Sequence, residues 1–168
     1  MKNNFKILSI IFSFGFFISS CNENSATNNL NSSVDSTKEK NAVAALINDY
    51  KMATEKLDTT GTAKLFSHNA QVIETGSREG NYLNYEQNHI GAEFKEFQSF
   101  AYNNYELEIS MQYPMAIAIE SYGYEIKTKE GALDKFSGKG VTTFYLMNEN
   151  GQWKILNMHL SFKDEGNK

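Results

Sequence analysis

From Phe100 onward the chain changes its rhythm, and that change limits the fold more than any other feature. Tyr105, Leu107, Ile109 and Met111 alternate with Asn104, Glu106, Glu108 and Ser110, the two-residue period of a half-buried strand. After Tyr113-Pro114 a second strand is expected from Met115 to Lys127, and Lys129-Glu130-Gly131 turns into a third, about Lys135 to Asn148. Asn150-Gly151 is a hairpin signal leading to a fourth strand, Trp153 to Lys163. Ahead of this meander the spacing is helical. Val43, Leu46, Ile47, Tyr50, Ala53 and Leu57 share one helical face, with Ser36 and Glu39 placed as a capping box. Asp58-Thr59-Thr60-Gly61 ends that helix, and a short second helix follows through Ala63, Leu65 and Phe66. Ala70 to Thr75 reads as a first strand stopped at Gly76. Residues 81–98 form a third helical stretch, bent at Gly91, with Tyr82, Tyr85, His89, Ile90, Phe94 and Phe97 as its buried candidates. Helices first and a long meander last predict an α+β domain, its helices packed on one face of a curved, mostly antiparallel sheet.

Residues 1–20 read as a leader. Lys2 and Lys6 precede an apolar run from Ile7 to Ile18, and Ser19-Ser20 lead to Cys21. The run falls short of the roughly 20 residues that a bilayer-spanning helix needs. Cys21 is the chain's single cysteine, so no disulfide partner competes for it. Ile18-Ser19-Ser20-Cys21 resembles a bacterial lipoprotein box, which implies an acylated Cys21 at the new N-terminus and a membrane anchor of two or three acyl chains. The expected divisions are a signal peptide over 1–20, a polar tether over 21–37, a folded domain over 38–163 and a polar tail over 164–168. Asn22 is not the aspartate that commonly retains lipoproteins at the inner membrane, which points to the outer membrane facing the periplasm. Without the leader, 14 basic residues face 20 acidic ones, and Arg78 is the only arginine. That balance argues against a nucleic-acid partner, which calls for clustered basic side chains.

The order helix, helix, strand, helix, four long strands resembles the nuclear transport factor 2-like, or SnoaL-like, superfamily of cone-shaped domains. Trp153-Lys154-Ile155 followed by His159-Leu160-Ser161 is similar to the last strand of many SnoaL-like proteins. Asn88-His89-Ile90-Gly91-Ala92-Glu93-Phe94 resembles the His-Leu-Gly-Pro-Glu-Leu segment in the third helix of a secreted branch, with Ala92 in place of the proline. The resemblance covers residues 38–163. It implies three helical segments on the concave face of the sheet, a pocket between them, and frequent dimerisation through the outer sheet face. It does not choose an activity, because the fold hosts isomerases, dehydratases, cyclases, transport factors and oligomerisation modules.

Along the last strand, Leu156, Met158, Leu160 and Phe162 form an apolar set, while Ile155, Asn157, His159 and Ser161 form a mixed one. Alternate residues of a strand face opposite sides. The mixed set is assigned to the pocket, which needs a few polar groups among apolar walls. The apolar set is then a homodimer interface. The opposite assignment, apolar set inside and mixed set in water, stays open. His89 and Glu93 lie four apart on one helix face. Joined by His159, they are candidates for general acid–base catalysis, or alternatively for a three-ligand metal site. Tyr82, Tyr85, Asn157, Ser161 and Glu74 are the expected pocket residues. Tyr122 is a further cavity candidate, and His68 reads as a surface or capping residue. Glu120 and Glu125 are acids on predicted strands, where an isolated glutamate is usually exposed. No nucleophile elbow, phosphate loop or paired-cysteine motif is present, so no cofactor is expected. The leading expectation is a lipid-anchored domain of the cell envelope that binds a small, partly apolar molecule. An acid–base enzyme and a partner-binding or dimerisation module are the alternatives.

Overall fold

The computed structural model describes residues 35–129 and 136–165. The leader, Cys21, the tether up to residue 34, the turn at Glu130-Gly131, the expected strand start at Lys135 and residues 166–168 lie outside the described residues.

Helix α1 spans Ser36–Glu55. Its cap falls one residue before the expected one, because the Asp35 carboxylate accepts the backbone N–H groups of Thr37 and Lys38 at 3.0 and 3.1 Å. Glu39, free of any capping box, instead accepts the indole N–H of Trp153 at 2.7 Å. The helix stops before Leu57, which adopts a left-handed φ of 54° while the Asp58 N–H returns to the Ala53 carbonyl at 3.0 Å. A 3-10 turn over Thr62–Leu65 leads into β1, Phe66–Glu74. Thr75 and Gly76, with φ of 40° and 86°, then reverse the chain into β2, Ser77–Asn81. This strand is a correction to the sequence reading. Its residues Ser-Arg-Glu-Gly-Asn are polar throughout, so no alternation announces it.

The expected third helix is broken into α2 (Tyr82–Tyr85), a π-helical turn (Glu86–Ile90) and α3 (Gly91–Glu96). Four long strands follow: β3 (Phe97–Gln112), β4 (Met115–Thr128), β5 (Phe136–Glu149) and β6 (Gln152–Asp164). Among the described residues six strands form one sheet in the order β2-β1-β6-β5-β4-β3, with β1 and β6 paired in parallel and the other neighbours antiparallel. The α+β expectation holds. Helix α1 covers the inner face, where Val43, Leu46 and Ile47 are buried with Phe144, Leu146, Ile155 and Met158. Among the described residues no helix is long and apolar enough to cross a membrane.

Strict alternation holds in β4 and β5 but breaks in β3 and β6. In β3 the register shifts between Asn103 and Glu106, with Asn104 at a φ of 47°. Tyr102 before this bulge and Tyr105 after it therefore both face inward. In β6, Ile155 pairs with Leu146 and Asn157 with Tyr145, leaving Leu156 as the extra residue. Trp153 and Ile155 are buried before this bulge, and Met158 and Leu160 after it.

This bulge overturns the face assignment made from sequence. Met158 and Leu160, at 0 % and 6 % exposure, are core residues, Phe162 packs half-buried against that core, and Leu156 is the bulged residue. None of Met158, Leu160 and Phe162 faces outward as an interface. Asn157, His159 and Ser161 pair with Tyr145, Thr143 and Val141 on the outer face, with His159 and Ser161 exposed. The large apolar side chains that do face outward from β4 and β5 include Met115, Ile117, Ile119, Val141 and Tyr145.

Candidate functional site

A cavity of about 380 Å³ lies on the inner side of the sheet, walled by β3, β4, β6 and the end of β1, together with Tyr50 and Thr54 of α1 and Tyr85, Ile90 and Glu93 of the α2–α3 segment. Its volume is at the lower end of the range for small-molecule sites. Two glycines shape the wall. Gly138 and Gly140 stand opposite Tyr124 and Tyr122 across the β4–β5 pair. A Cβ at Gly140 would fall 2.4 Å from the Tyr122 ring, and one at Gly138 would fall 2.6 Å from the Tyr124 hydroxyl. The missing side chains let both rings lie flat against the sheet. Two other rings meet them edge-on, Tyr102 against Tyr122 at 4.7 Å between centroids and Phe162 against Tyr124 at 5.7 Å, while Phe100 stacks on Tyr124 at 6.3 Å.

Polar tips converge among these rings. Glu120 is 2 % exposed and accepts the Tyr105 hydroxyl at 2.9 Å. Burial pushes its carboxyl up to about 7, while hydrogen bonds from Tyr105 and Thr142 and the charge of Lys51 pull it partly back. Tyr122 and Thr142 share a hydrogen bond of 3.1 Å beside it. At the end of β1, Glu74 accepts the Tyr85 hydroxyl at 2.7 Å, and at the end of β6, Asp164 accepts the Tyr124 hydroxyl at 2.5 Å.

His89 sits in the π-helical turn. That turn exists because the Gly91 N–H reaches back to the Glu86 carbonyl, so closely that a Cβ on Gly91 would lie 2.4 Å from that oxygen. Gly91 widens the helix where a bend was expected. The ring's Nδ1 lies 3.0 Å from Glu79 of β2, and its Nε2 lies 3.3 Å from Glu93 and 3.7 Å from Glu74. Partial burial works against a charge on the ring. The Glu79 hydrogen bond and the charges of Glu74, Glu93 and Glu79 outweigh it, and the pKa is raised. Burial also raises the Glu93 carboxyl, with His89 opposing and Glu74 adding to the shift.

His89, Glu93, Glu74 and Tyr85 are thus brought together, and the last three line the cavity. His159 is not among them, because it lies on the far side of the sheet with Asn157 and Ser161. Tyr82 is also displaced from its expected place: at 3 % exposure it stacks on Phe66 at 3.5 Å and donates to Thr62 at 2.7 Å, inside the core. His68 is exposed on β1. The three-ligand metal arrangement loses its third member with His159. Among the described residues no group of three His, Cys, Asp or Glu side chains is arranged to hold a metal ion. Glu79, Tyr105, Asp164 and the burial of Glu120 escaped sequence reasoning. Chemically, His89 is engaged at both ring nitrogens by carboxylates that favour its charged form, whereas Glu120 can exchange a proton near neutral pH.

A helix laid across the inner face of a curved six-stranded sheet, enclosing a ligand-sized aromatic cavity, defines the cone-shaped class of nuclear transport factor 2-like domains. The SnoaL-like domain family matches residues 43–165, and this chain belongs to it. Its fold is similar to that of a nuclear transport factor 2-like superfamily protein from Salmonella enterica serovar Typhimurium, with a TM-score of 0.65 and 18 % identity over 77 % of this chain and 93 % of that one. A conserved protein from Planctomyces limnophilus superimposes with a TM-score of 0.65 and 14 % identity over 76 % of this chain and 98 % of that one. A type 2 hexachlorocyclohexane dehydrochlorinase gives a TM-score of 0.62 and 15 % identity over 79 % and 92 %. At these identities the likeness carries the fold alone. No curated protein matches the chain in sequence.

The Glu120 environment makes stability depend on pH. Between the ordinary value of 4.5 and about 7, the folded chain keeps a proton that the unfolded chain releases. Stability therefore falls as pH rises through that window and levels off above it. Glu120→Gln removes this slope, leaving the variant more stable than the parent at pH 8 by on the order of 3 kcal/mol. Urea unfolding of both proteins at pH 5 and pH 8 measures the difference.

Proposed function

We propose that this chain is a small-molecule-binding domain of the SnoaL-like fold, held at the cell envelope by acyl chains on Cys21. The observation that carries the binding reading is the cavity of about 380 Å³, with aromatic walls and the polar tips of Glu74, Glu93 and Glu120. Few, well-placed polar groups among apolar walls are what orient a small ligand. The family match supports the same reading, as do structural neighbours that include a dehydrochlorinase, an enzyme that acts on a small molecule. The neutral dye Prodan should bind one to one with blue-shifted emission. Removing two rings, in Phe100→Ala combined with Phe162→Ala, should weaken it about tenfold. No saturable binding up to millimolar dye would sink the reading.

The anchoring half of the proposal rests on the sequence, where an apolar leader ends at Ile18-Ser19-Ser20-Cys21. The Cys21→Ser variant should leave the detergent-soluble membrane fraction for the soluble extract, and its intact mass should lack the acyl chains. A variant that stays in the membrane fraction removes Cys21 as the anchor.

A second copy of the chain would dock on the outer face of β4 and β5, through Ile117, Ile119, Val141 and Tyr145, not on the β6 strip named from sequence. These side chains are apolar, exposed and carried by adjacent strands. Sedimentation should find a dimer at micromolar concentration that Ile119→Asp converts to monomer. A monomeric parent would dismiss the interface.

A further inference from the structure

Four carboxylates, Glu74, Glu93, Glu120 and Asp164, are set into the walls of the cavity, and no lysine or arginine is among its described lining residues. Three of the four are held by neutral donors. Tyr85 donates to Glu74 at 2.7 Å, Tyr105 to Glu120 at 2.9 Å and Tyr124 to Asp164 at 2.5 Å. A phenol fixes a carboxylate in place without cancelling its charge, and each carboxylate keeps further lone pairs for another donor. The basic groups nearby are already committed. His89 lies between Glu79, Glu93 and Glu74 at the β1 end. Lys51 of α1 pairs with Glu55 at 2.7 Å, outside the lining.

The aromatic walls add a second, independent preference. The face of an electron-rich ring attracts an ammonium group, and more so when water is excluded. The protein itself uses this: the Lys51 ammonium lies 5.0 Å from the centre of the Tyr102 ring and 5.3 Å from that of Tyr105. Tyr102 is also a cavity wall, flanked there by Phe100 and Tyr122.

We propose that the cavity selects an organic cation, a primary to quaternary amine carried on a small apolar body. The apolar body rests on the rings and the ammonium meets the carboxylates. An anionic ligand would face carboxylates on several walls, with no guanidinium or ammonium among the described lining residues to receive it. A neutral alcohol would gain hydrogen bonds but neither the ring attraction nor the charge pairing. This inference rests on the binding reading above and narrows it.

A cation in the cavity favours the ionised form of Glu120, so binding releases a proton and tightens as pH rises through neutrality. The groups facing Glu120 are Tyr102 and Tyr105 from β3, Tyr122 on its own strand, Thr142 from β5, and Tyr50 and Lys51 from α1. Of these, Lys51 is the one whose charge pulls the Glu120 carboxyl down.

The test compares three probes of one shape on the full chain: 2-phenylethylamine, 2-phenylethanol and 3-phenylpropionate. Calorimetry at pH 8 should show the amine bound about tenfold more tightly than the alcohol, and the acid not bound. The preference should shrink to about threefold at pH 6, as Glu120 takes up its proton. Glu120→Gln should abolish this pH dependence, and Glu93→Gln should lower the preference at every pH. An alcohol or an acid that binds as tightly as the amine overturns the cationic class and leaves the cavity a binding site. If none of the three probes binds, and Prodan does not either, both readings fall.

Discussion

Two extra residues decide what the inner face of this sheet becomes. A strand that alternated without interruption would present one chemical character along its whole length. The bulge at Asn103–Asn104 in β3 and the one at Leu156 in β6 switch the inward-facing parity part way along each strand. On one side of the switch, Leu107, Ile109, Trp153 and Ile155 pack with α1 in a dry core. On the other, Phe100, Tyr102, Leu160 and Phe162 draw back into the walls of a cavity. The bulges thus divide one sheet between stability and ligand binding.

The cavity holds a group that the rest of the fold has to tolerate. A carboxylate buried to the extent of Glu120 loses most of its hydration, a cost that hydrogen bonds repair only in part. Here the hydroxyls of Tyr105 and Thr142 supply those bonds, and the residual cost surfaces as the upward shift of its titration. The His89 cluster solves the opposite problem. Three carboxylates from β1, β2 and α3 converge, and one imidazole placed by the π-helical turn reconciles them. The turn is costly in helix geometry and useful in position, since Gly91 permits the wide backbone that seats the ring.

The fold was largely legible in the sequence, and the site was legible in part. Long-range alternation exposed β3 to β6, and helical spacing exposed α1, because both periods run for many residues. The pairing of His89 with Glu93 was visible from their four-residue spacing alone. The face of His159 was not, because Leu156 carries none of the glycine or polar signals that mark a bulge. Glu120 was hidden for a related reason. On β4 the isoleucines Ile117 and Ile119 look like the core face, yet Ala116 and Ala118 are the buried ones. They stand opposite the large Leu146 and Phe144, and the ring of Phe144 reaches Tyr50 of α1. Small residues are needed there, and a pattern read by hydrophobicity points to the wrong side. Ser77–Asn81 stayed unseen because it buries no apolar side chain and shows no alternation.

The contact between Trp153 and Glu39 has an optical consequence. The chain has one tryptophan, and its indole is tied to the first turns of α1 at 2.7 Å, with the Tyr113 ring edge-on at 6.2 Å. It is absent from the cavity walls, which belong to tyrosine and phenylalanine. Indole emission from this protein therefore monitors the seating of the N-terminal helix on the last strand. Cavity filling registers in phenol absorbance instead, so one cuvette can follow unfolding and occupancy as separate colours.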